Sequence, residues 1–204
     1  ARNGINWTQQ HKFVAADGAA QDHFGFAVAI HGPQFMVGCP DDDGTAGANQ
    51  GSVSFYQLTG NNWAQEIKVY GMNAAANDQF GWSVSISNNL AIIGAPGDID
   101  PNSIIGSAQV FTKVVSWSSV QKLLPSGLFP GNFGKAVAIS GNTAVVTQLI
   151  YAAGLGGILA SGRVYVYVQG VLNIWFEQTF IDPPVSIDLH FFGASLSLSG
   201  NNLI

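Results

Sequence analysis

Charge is what this sequence has least of. Only 9% of its 204 residues are Asp, Glu, Lys or Arg, so Asn, Gln, Ser, Thr and Gly must supply most of the polar surface. Seven basic residues stand against twelve acidic ones, a formal net charge of −5. That balance lacks the basic footprint that a phosphate backbone or an anionic lipid surface needs, and it excludes nucleic acid as the expected partner. Long apolar runs are missing too. The longest stretch without a strongly polar residue, Leu149 to Ala160, contains three glycines and falls far short of the roughly 20 apolar residues that span a bilayer. Cys39 is the one cysteine, so no intramolecular disulfide can form. No basic segment leading into an apolar one opens the chain, so any secretory leader is expected to have been removed or never to have existed. The chain stops at Asn202-Leu203-Ile204, in what reads as the start of an apolar strand, and is expected to be a fragment.

Catalytic groupings are equally scarce. His11, His23, His31 and His190 have no metal-ligand spacing, no Gly-x-Ser-x-Gly elbow occurs, and Cys39 has no base beside it in the sequence. The expectation is a protein that is not an enzyme. His23 and His190 each precede a Phe-Gly pair and read as turn or capping residues.

What the sequence does have is a repeat. Phe-Gly recurs at Phe24-Gly25, Phe80-Gly81, Phe133-Gly134 and Phe192-Gly193, at steps of 56, 53 and 59. Trp7, Trp63, Trp117 and Trp175 keep the same beat, at steps of 56, 54 and 58. Gly51-Ser52-Val53, Gly106-Ser107-Ala108 and Gly162-Arg163-Val164 each open a further alternating segment. Several markers in one register define a structural repeat.

Within each repeat the pattern has a period of two, the period of a strand. Phe24, Phe26, Val28 and Ile30 alternate with Gly25, Ala27 and Ala29, and Phe80, Trp82, Val84 and Ile86 with Gly81, Ser83 and Ser85. Val137 and Ile139, then Leu196 and Leu198, continue the bulky series. One bulky and one nearly bare face is what stacked sheets need, since the bare face lets a neighbour approach. Turns at His31-Gly32-Pro33, Asn88-Asn89 and Gly141-Asn142 lead into a second strand, a longer loop into the Gly-Ser strand, and a hairpin such as Gly60-Asn61-Asn62 into the Trp strand. No segment keeps a helical period, and 25 glycines suit an all-β chain full of turns. Four-stranded units of this length point to an all-β β-propeller, with blades at about 24–70, 80–124, 133–182 and a truncated 192–204 within a single domain, 1–204. Phe24–Ile30, Phe80–Ile86, Phe133–Ile139 and Phe192–Leu198 are expected to be equivalent strands whose stacking buries Val28, Val84, Val137 and Leu196. The recurrent tryptophans are expected to pack between blades.

Phe-Gly followed by a strand, a turn, Gly-Cys-Pro at 38–40 or Gly-Ala-Pro at 94–96, and then a Gly-Ser strand resembles the FG-GAP repeat of integrin-α-like β-propellers and of many secreted or cell-surface proteins. The likeness spans nearly the whole chain and is weaker in the third repeat, where Thr147-Gln148-Leu149 replaces Gly-Ala-Pro. It implies about seven blades in a ring, of which this chain supplies roughly three and a half, and an extracellular or cell-surface location. The function implied is non-catalytic: protein contact, adhesion or assembly, with a carbohydrate-binding propeller or the accessory propeller of a secreted hydrolase as the alternative. The family calcium loop, Asp-x-Asp-x-Asp-Gly-x-x-Asp, is absent, because the corresponding connections are short and carry no carboxylate. A calcium site remains possible at Asp98, Asp100 and Asn102, whose alternate spacing presents oxygens to one cation. Asp17, Asp22, Asp41, Asp43, Asp78, Asp98 and Asp100 are expected to share an acidic rim on one face. The matching loops of repeats three and four are apolar, and Phe129, Tyr151 and Leu155 are the expected partner contacts, toward another protein, the rest of the propeller, or a larger assembly. Asn6-Trp7-Thr8 fits a glycosylation sequon at Asn6.

Overall fold

The alternating segments become strands throughout the computed structural model, which describes residues 2–101, 104–127, 131–154, 157–184, 191–200 and 202–204. A short hairpin pairs β1 (Arg2–Asn3) with β2 (Asn6–Trp7). Three four-stranded antiparallel blades follow. The first is β3 (Ala27–His31), β4 (Gln34–Cys39), β5 (Ser52–Thr59) and β6 (Asn62–Val69). The second is β7 (Ser83–Ser87), β8 (Leu90–Ile99), β9 (Ile105–Lys113) and β10 (Trp117–Leu123). The third is β11 (Gly131–Ser140), β12 (Thr143–Gly154), β13 (Gly157–Gln169) and β14 (Trp175–Ile181). A last hairpin joins β15 (Leu198–Ser199) to β16 (Asn202–Leu203). Strand order within each blade is chain order, because every connection is a hairpin.

The inner hairpins turn in two residues, and the first of the two sits at positive φ: Gly32 at 56°, Asn88 at 54°, Gly141 at 54° and Gly200 at 57°. Such turns match the twist of the strands they join, and Gly and Asn tolerate that φ best. Both hairpin turns of a blade lie at the same end. The Leu58 amide donates to Pro33 O, Lys113 N to Asn89 O and Gln169 N to Asn142 O.

Phe-Gly marks the joint between blades. Gly81 and Gly134 have φ of 95° and 87°, and a Cβ there would lie 2.5 Å from Ser52 O and 2.2 Å from Ser107 O, each in the preceding blade. Only glycine meets both demands. Single parallel bridges, Gly51 to Phe80 and Gly106 to Phe133, tie the third strand of one blade to the next Phe-Gly. The Gly of Gly-Cys-Pro and of Gly-Ala-Pro works from the other side, since a Cβ at Gly38 or Gly94 would meet the carbonyl oxygen of Gly81 or Gly134 at 2.1 and 2.0 Å. In the third blade Thr147 holds that position, and its hydroxyl donates to Gly193 O at 2.6 Å. The departure from Gly-Ala-Pro therefore preserves the joint by another contact.

Apolar cores fill the joints. Met36, Val53 and Phe55 of the first blade meet Phe80, Ile86, Ile93 and Trp117 of the second, with Val84 half-buried beside them. Phe133, Val137, Ile139 and Tyr165 of the third meet Ile92 and Val110 of the second. Leu196 and Leu198 are half-buried against Ala138, Val145 and Val164. Trp117 stacks on Phe55 of the preceding blade, ring centroids 4.5 Å apart and planes at 17°, and Trp175 is buried in the next joint, as expected, but Trp7 is exposed and Trp63 packs on Phe13 and on Phe35 of its own blade, so the other two recurrent tryptophans do not pack between blades.

Four expectations need correction. Val28 is not buried: it is 59% exposed, because bulky faces look toward the preceding blade and β3 has none in front of it. Phe26, in the bend before β3, is also exposed in part, its ring centroid 4.6 Å from that of Trp82 in the second blade. Phe24-Gly25 lies in a turn before β3, and Phe80, at its isolated bridge, and Gly81, in a turn, precede β7, since glycine at φ near 90° interrupts the pleat; in the third blade Phe133-Gly134 lies inside β11 at a register shift. In the last repeat only Leu198–Ser199 of the expected 192–198 segment is strand. The apolar stretch from Ile150 onward is not a loop but a prolongation of β12 and β13, paired from Ile150↔Ser161 to Gly154↔Gly157.

Candidate contact site

The loops that enter each Phe-Gly are built twice from one plan. Asp22 Oδ2 accepts from Ala19 N at 2.5 Å, and Asp78 Oδ2 accepts from Ala75 N at 2.7 Å, so each carboxylate closes a tight turn over its own backbone. Left-handed residues flank both, Gln21 and His23 around Asp22, Asn77 and Gln79 around Asp78. Burial raises the Asp78 carboxyl above its usual range, and the nearby Asp98 charge adds to this. The fourth strands of the first two blades supply the balancing cations. Lys122 on β10 pairs with Asp98, whose Oδ2 also accepts from Ser107 Oγ at 2.5 Å. Lys68 on β6 pairs with Asp42 at 2.7 Å and with Asp17 at 2.8 Å. Burial alone would lower Lys68, but its hydrogen bonds with the two carboxylates outweigh this and hold the ammonium charged, while Asp17 is drawn down by the same bond.

The expected acidic rim is therefore mostly internal. Asp22, Asp78, Asp98 and Asp100 are buried, and only Asp17, Asp41 and Asp43 of that set reach the surface to any degree. A carboxylate leaves water only when it is paired or hydrogen-bonded, which is what these loops provide. At the surface, His23 Nδ1 bonds Asp41 Oδ2 at 2.5 Å, Gln79 Nε2 reaches Asp41 Oδ1 at 3.5 Å, and the Asn49 side chain donates to Asn77 Oδ1 at 3.1 Å, stitching the first two blades.

Of the candidate cation ligands, Asp98 is engaged by Lys122 and Ser107, Asp100 Oδ1 accepts from Ile104 N at 2.9 Å, and Asn102 lies outside the described residues. Among the described residues no three His, Cys, Asp or Glu side chains gather as metal ligands. Phe129 and Leu155 lie outside the described residues, and Tyr151 is placed by its backbone alone, paired with Ala160 in the β12–β13 hairpin. His190 is also outside them. Asn6 lies exposed on β2. Cys39 is buried, donates its thiol to Asp22 O at 3.0 Å, and has its pKa pushed up to about 12 by burial, with Asp42 and Asp22 adding to the effect.

Three segments of the chain, 7–56, 63–111 and 117–167, match the FG-GAP repeat family model. The chain belongs to the FG-GAP repeat family. Each FG-GAP match starts at a Trp on or beside an outer strand and runs into the third strand of the next blade, so the sequence repeat is offset from the blade and itself crosses a joint. FG-GAP propellers generally mediate protein contacts and are typical of extracellular or surface proteins. No curated protein matches the chain. No helix among the described residues is long and apolar enough to cross a membrane.

Two features of this FG-GAP chain went unread in the sequence. Asp42 and Asp98 are 56 residues apart and Lys68 and Lys122 are 54 apart, so repeat register alone pairs them, yet neither lysine draws notice as a lone charge. The second is a cavity of about 310 Å³ between the third blade and the last hairpin, lined by Val164, Ile181, Phe192, Leu196, Leu203 and Ile204. It exists only once the two elements are placed together.

Proposed function

We propose that the chain is a non-catalytic, extracellular FG-GAP module that works by protein contact, in adhesion or assembly. The observation that carries this reading is how the polar and apolar groups are distributed. Carboxylates that could have formed a reactive cluster are spent on internal pairs with Lys68 and Lys122, whereas Val28 and Ile30 lie exposed on one face of β3. Contiguous exposed apolar surface marks contact sites. Calcium is not invoked in this reading: Asp98 Oδ2 accepts from Ser107 Oγ and Asp100 Oδ1 from Ile104 N. Extracellular placement is supported by family membership and by the exposed Asn6 sequon.

A second reading, carbohydrate binding, is favoured by one place. A groove of about 240 Å³ at the outer edge of the first blade is lined by Trp63, His11, Gln10 and Asn61, an aromatic face with amide groups around it. Such a combination suits a sugar ring, with stacking on the apolar face and hydrogen bonds to hydroxyls. A glycan array probed with the chain and with Trp63→Ala separates the two readings. No glycan binding above background is the outcome expected of a protein-contact module; binding lost in Trp63→Ala would replace it with the lectin reading. Expression through a eukaryotic secretory route should yield a species whose mass falls on glycosidase treatment, and Asn6→Gln should abolish that shift.

A further inference from the structure

The outer hairpins of the second and third blades end in apolar residues that the repeat does not require. Val114 and Val115, between β9 and β10, are 85% and 90% exposed, and Val171 and Leu172, between β13 and β14, are 81% and 87% exposed. The first blade has Gly60 and Asn61 in the same place, between β5 and β6. The two apolar tips project at the same end of adjoining blades, whose fourth strands are tied where Gln121 Nε2 donates to Trp175 O at 2.9 Å and Trp175 N donates to Gln121 Oε1 at 2.8 Å.

The third-blade tip is fixed in its outward pose. Gly170 N donates to Ile174 O at 2.8 Å, and Gln169 Nε2 donates to Asn173 Oδ1 at 3.2 Å. Leu172 stands at φ 60° and ψ 23°, a left-handed conformation that a bulky side chain adopts only at a cost. At the base of the tip the exposed Phe176 ring lies against Gly170, where a Cβ would be 2.8 Å from its Cε2, and Ile174 is exposed beside it.

Charge is withdrawn from this end of the molecule. The inner turns beside the tips are Asn88-Asn89 and Gly141-Asn142. Lys113, next to Val114, is neutralised by Glu66 at 2.8 Å and donates to Gln57 Oε1 at 2.9 Å. The aspartates belong to the other end: Asp41, Asp42, Asp43, Asp98 and Asp100 lie at or beyond the far ends of the second strands, and Asp22 and Asp78 in the loops that enter Phe-Gly. Side chains that stand clear of the surface, backed by amides and hydroxyls without net charge, suit an apolar phase with a polar boundary. Attachment to such a boundary scales with the apolar area inserted and with attraction between basic groups and anionic lipid. A net charge of −5 removes the second contribution and leaves the first.

We propose that the Val114-Val115 and Val171-Leu172 tips insert into the surface of a zwitterionic lipid bilayer, with Ile174 and Phe176 following at the headgroup level. The acidic end then faces away from the lipid. This inference goes beyond the protein-contact reading and uses other residues.

Flotation of the full chain with phosphatidylcholine vesicles is the test. Binding is expected to be the same at low and high salt. The double variant Val115→Asp/Leu172→Asp should lower the partition coefficient by at least about tenfold, the loss expected of withdrawing these side chains from an apolar phase. Circular dichroism should not change, because both side chains are exposed. Ile99→Asp, an equally plain exposure of an apolar residue at the acidic end, should leave binding as it was. No flotation, flotation that survives the tip aspartates, or binding confined to anionic vesicles and abolished by salt overturns the proposal. A chain that ignores vesicles yet binds another protein through Val115 and Leu172 also overturns it, and leaves the contact-module reading standing.

Discussion

At the scale of single residues, the carboxylates show how a chain with few charges uses them. Asp78 is buried with its carboxyl raised above the ordinary range, which means the folded state holds the proton more tightly than the unfolded one. A raised carboxyl favours folding at low pH and opposes it once the pH has passed the folded-state value. Asp78→Asn, which keeps an oxygen for Ala75 N, is therefore expected to raise the unfolding midpoint at neutral pH, and thermal melts should show the gain shrinking as pH falls through the carboxylate range. Asp98 and Lys122 form the opposite case, since each neutralises the other inside the second blade. Lys122→Met alone leaves a buried carboxylate with only Ser107 and should cost about 3–5 kcal/mol, whereas the double variant Lys122→Met/Asp98→Asn should recover much of that loss. A double-mutant cycle by urea titration measures the difference, and a double-variant cost equal to the sum of the Lys122→Met and Asp98→Asn costs would show that the pair is not coupled.

At the scale of elements, the blades depend on glycines that let backbones touch. Gly134 sits at φ 87° with the Ser107 carbonyl where a Cβ would go, so both backbone strain and overlap oppose any side chain. Gly134→Ala is expected to destabilise by about 3 kcal/mol or more, as the large class of backbone and packing changes does. The equivalent of Gly94 in the third blade is Thr147, which makes the joint with a hydroxyl. Thr147→Gly should cost roughly 2 kcal/mol, from one lost hydrogen bond and the extra freedom of a strand glycine. Denaturant unfolding of the two variants ranks them, and a neutral Gly134→Ala would remove the close-approach account of Phe-Gly.

At the scale of the whole molecule, stability is uneven because the joints are. The second and third blades share the largest buried cluster, from Leu90 and Ile92 through Phe133 to Trp175, while the β1–β2 hairpin carries exposed Trp7 and the β15–β16 hairpin rests on its joint through half-buried leucines. Hydrogen exchange is expected to be slowest in β8, β9 and β12 and fastest in the two hairpins, since local opening is cheapest where few apolar contacts are lost. Uniform protection along the chain would contradict a stack of blades held by separate joints.

The period-two alternation, the Phe-Gly and Trp beat and the Gly and Asn turns were enough to read an all-β chain of four-stranded FG-GAP blades, because each reports a local demand: a bare strand face, a positive φ, a close backbone approach. Repeat register even held the Asp42–Lys68 and Asp98–Lys122 pairs, though their partnership crosses strands and a residue type by itself does not show what neutralises it. Burial is a property of what stands opposite, and there the sequence fell silent. Val28, Val84 and Val137 occupy one register position, yet they are exposed, half-buried and buried in turn, because the blade that would cover each one is present for the second and third and not for the first. The same holds for the acidic loops, which read as a rim and prove to be largely interior, and for Ile150 to Gly154, which reads as an apolar loop and pairs as strand. Local pattern decided which strands form; only the tertiary arrangement decided which of their faces meet protein and which stay exposed.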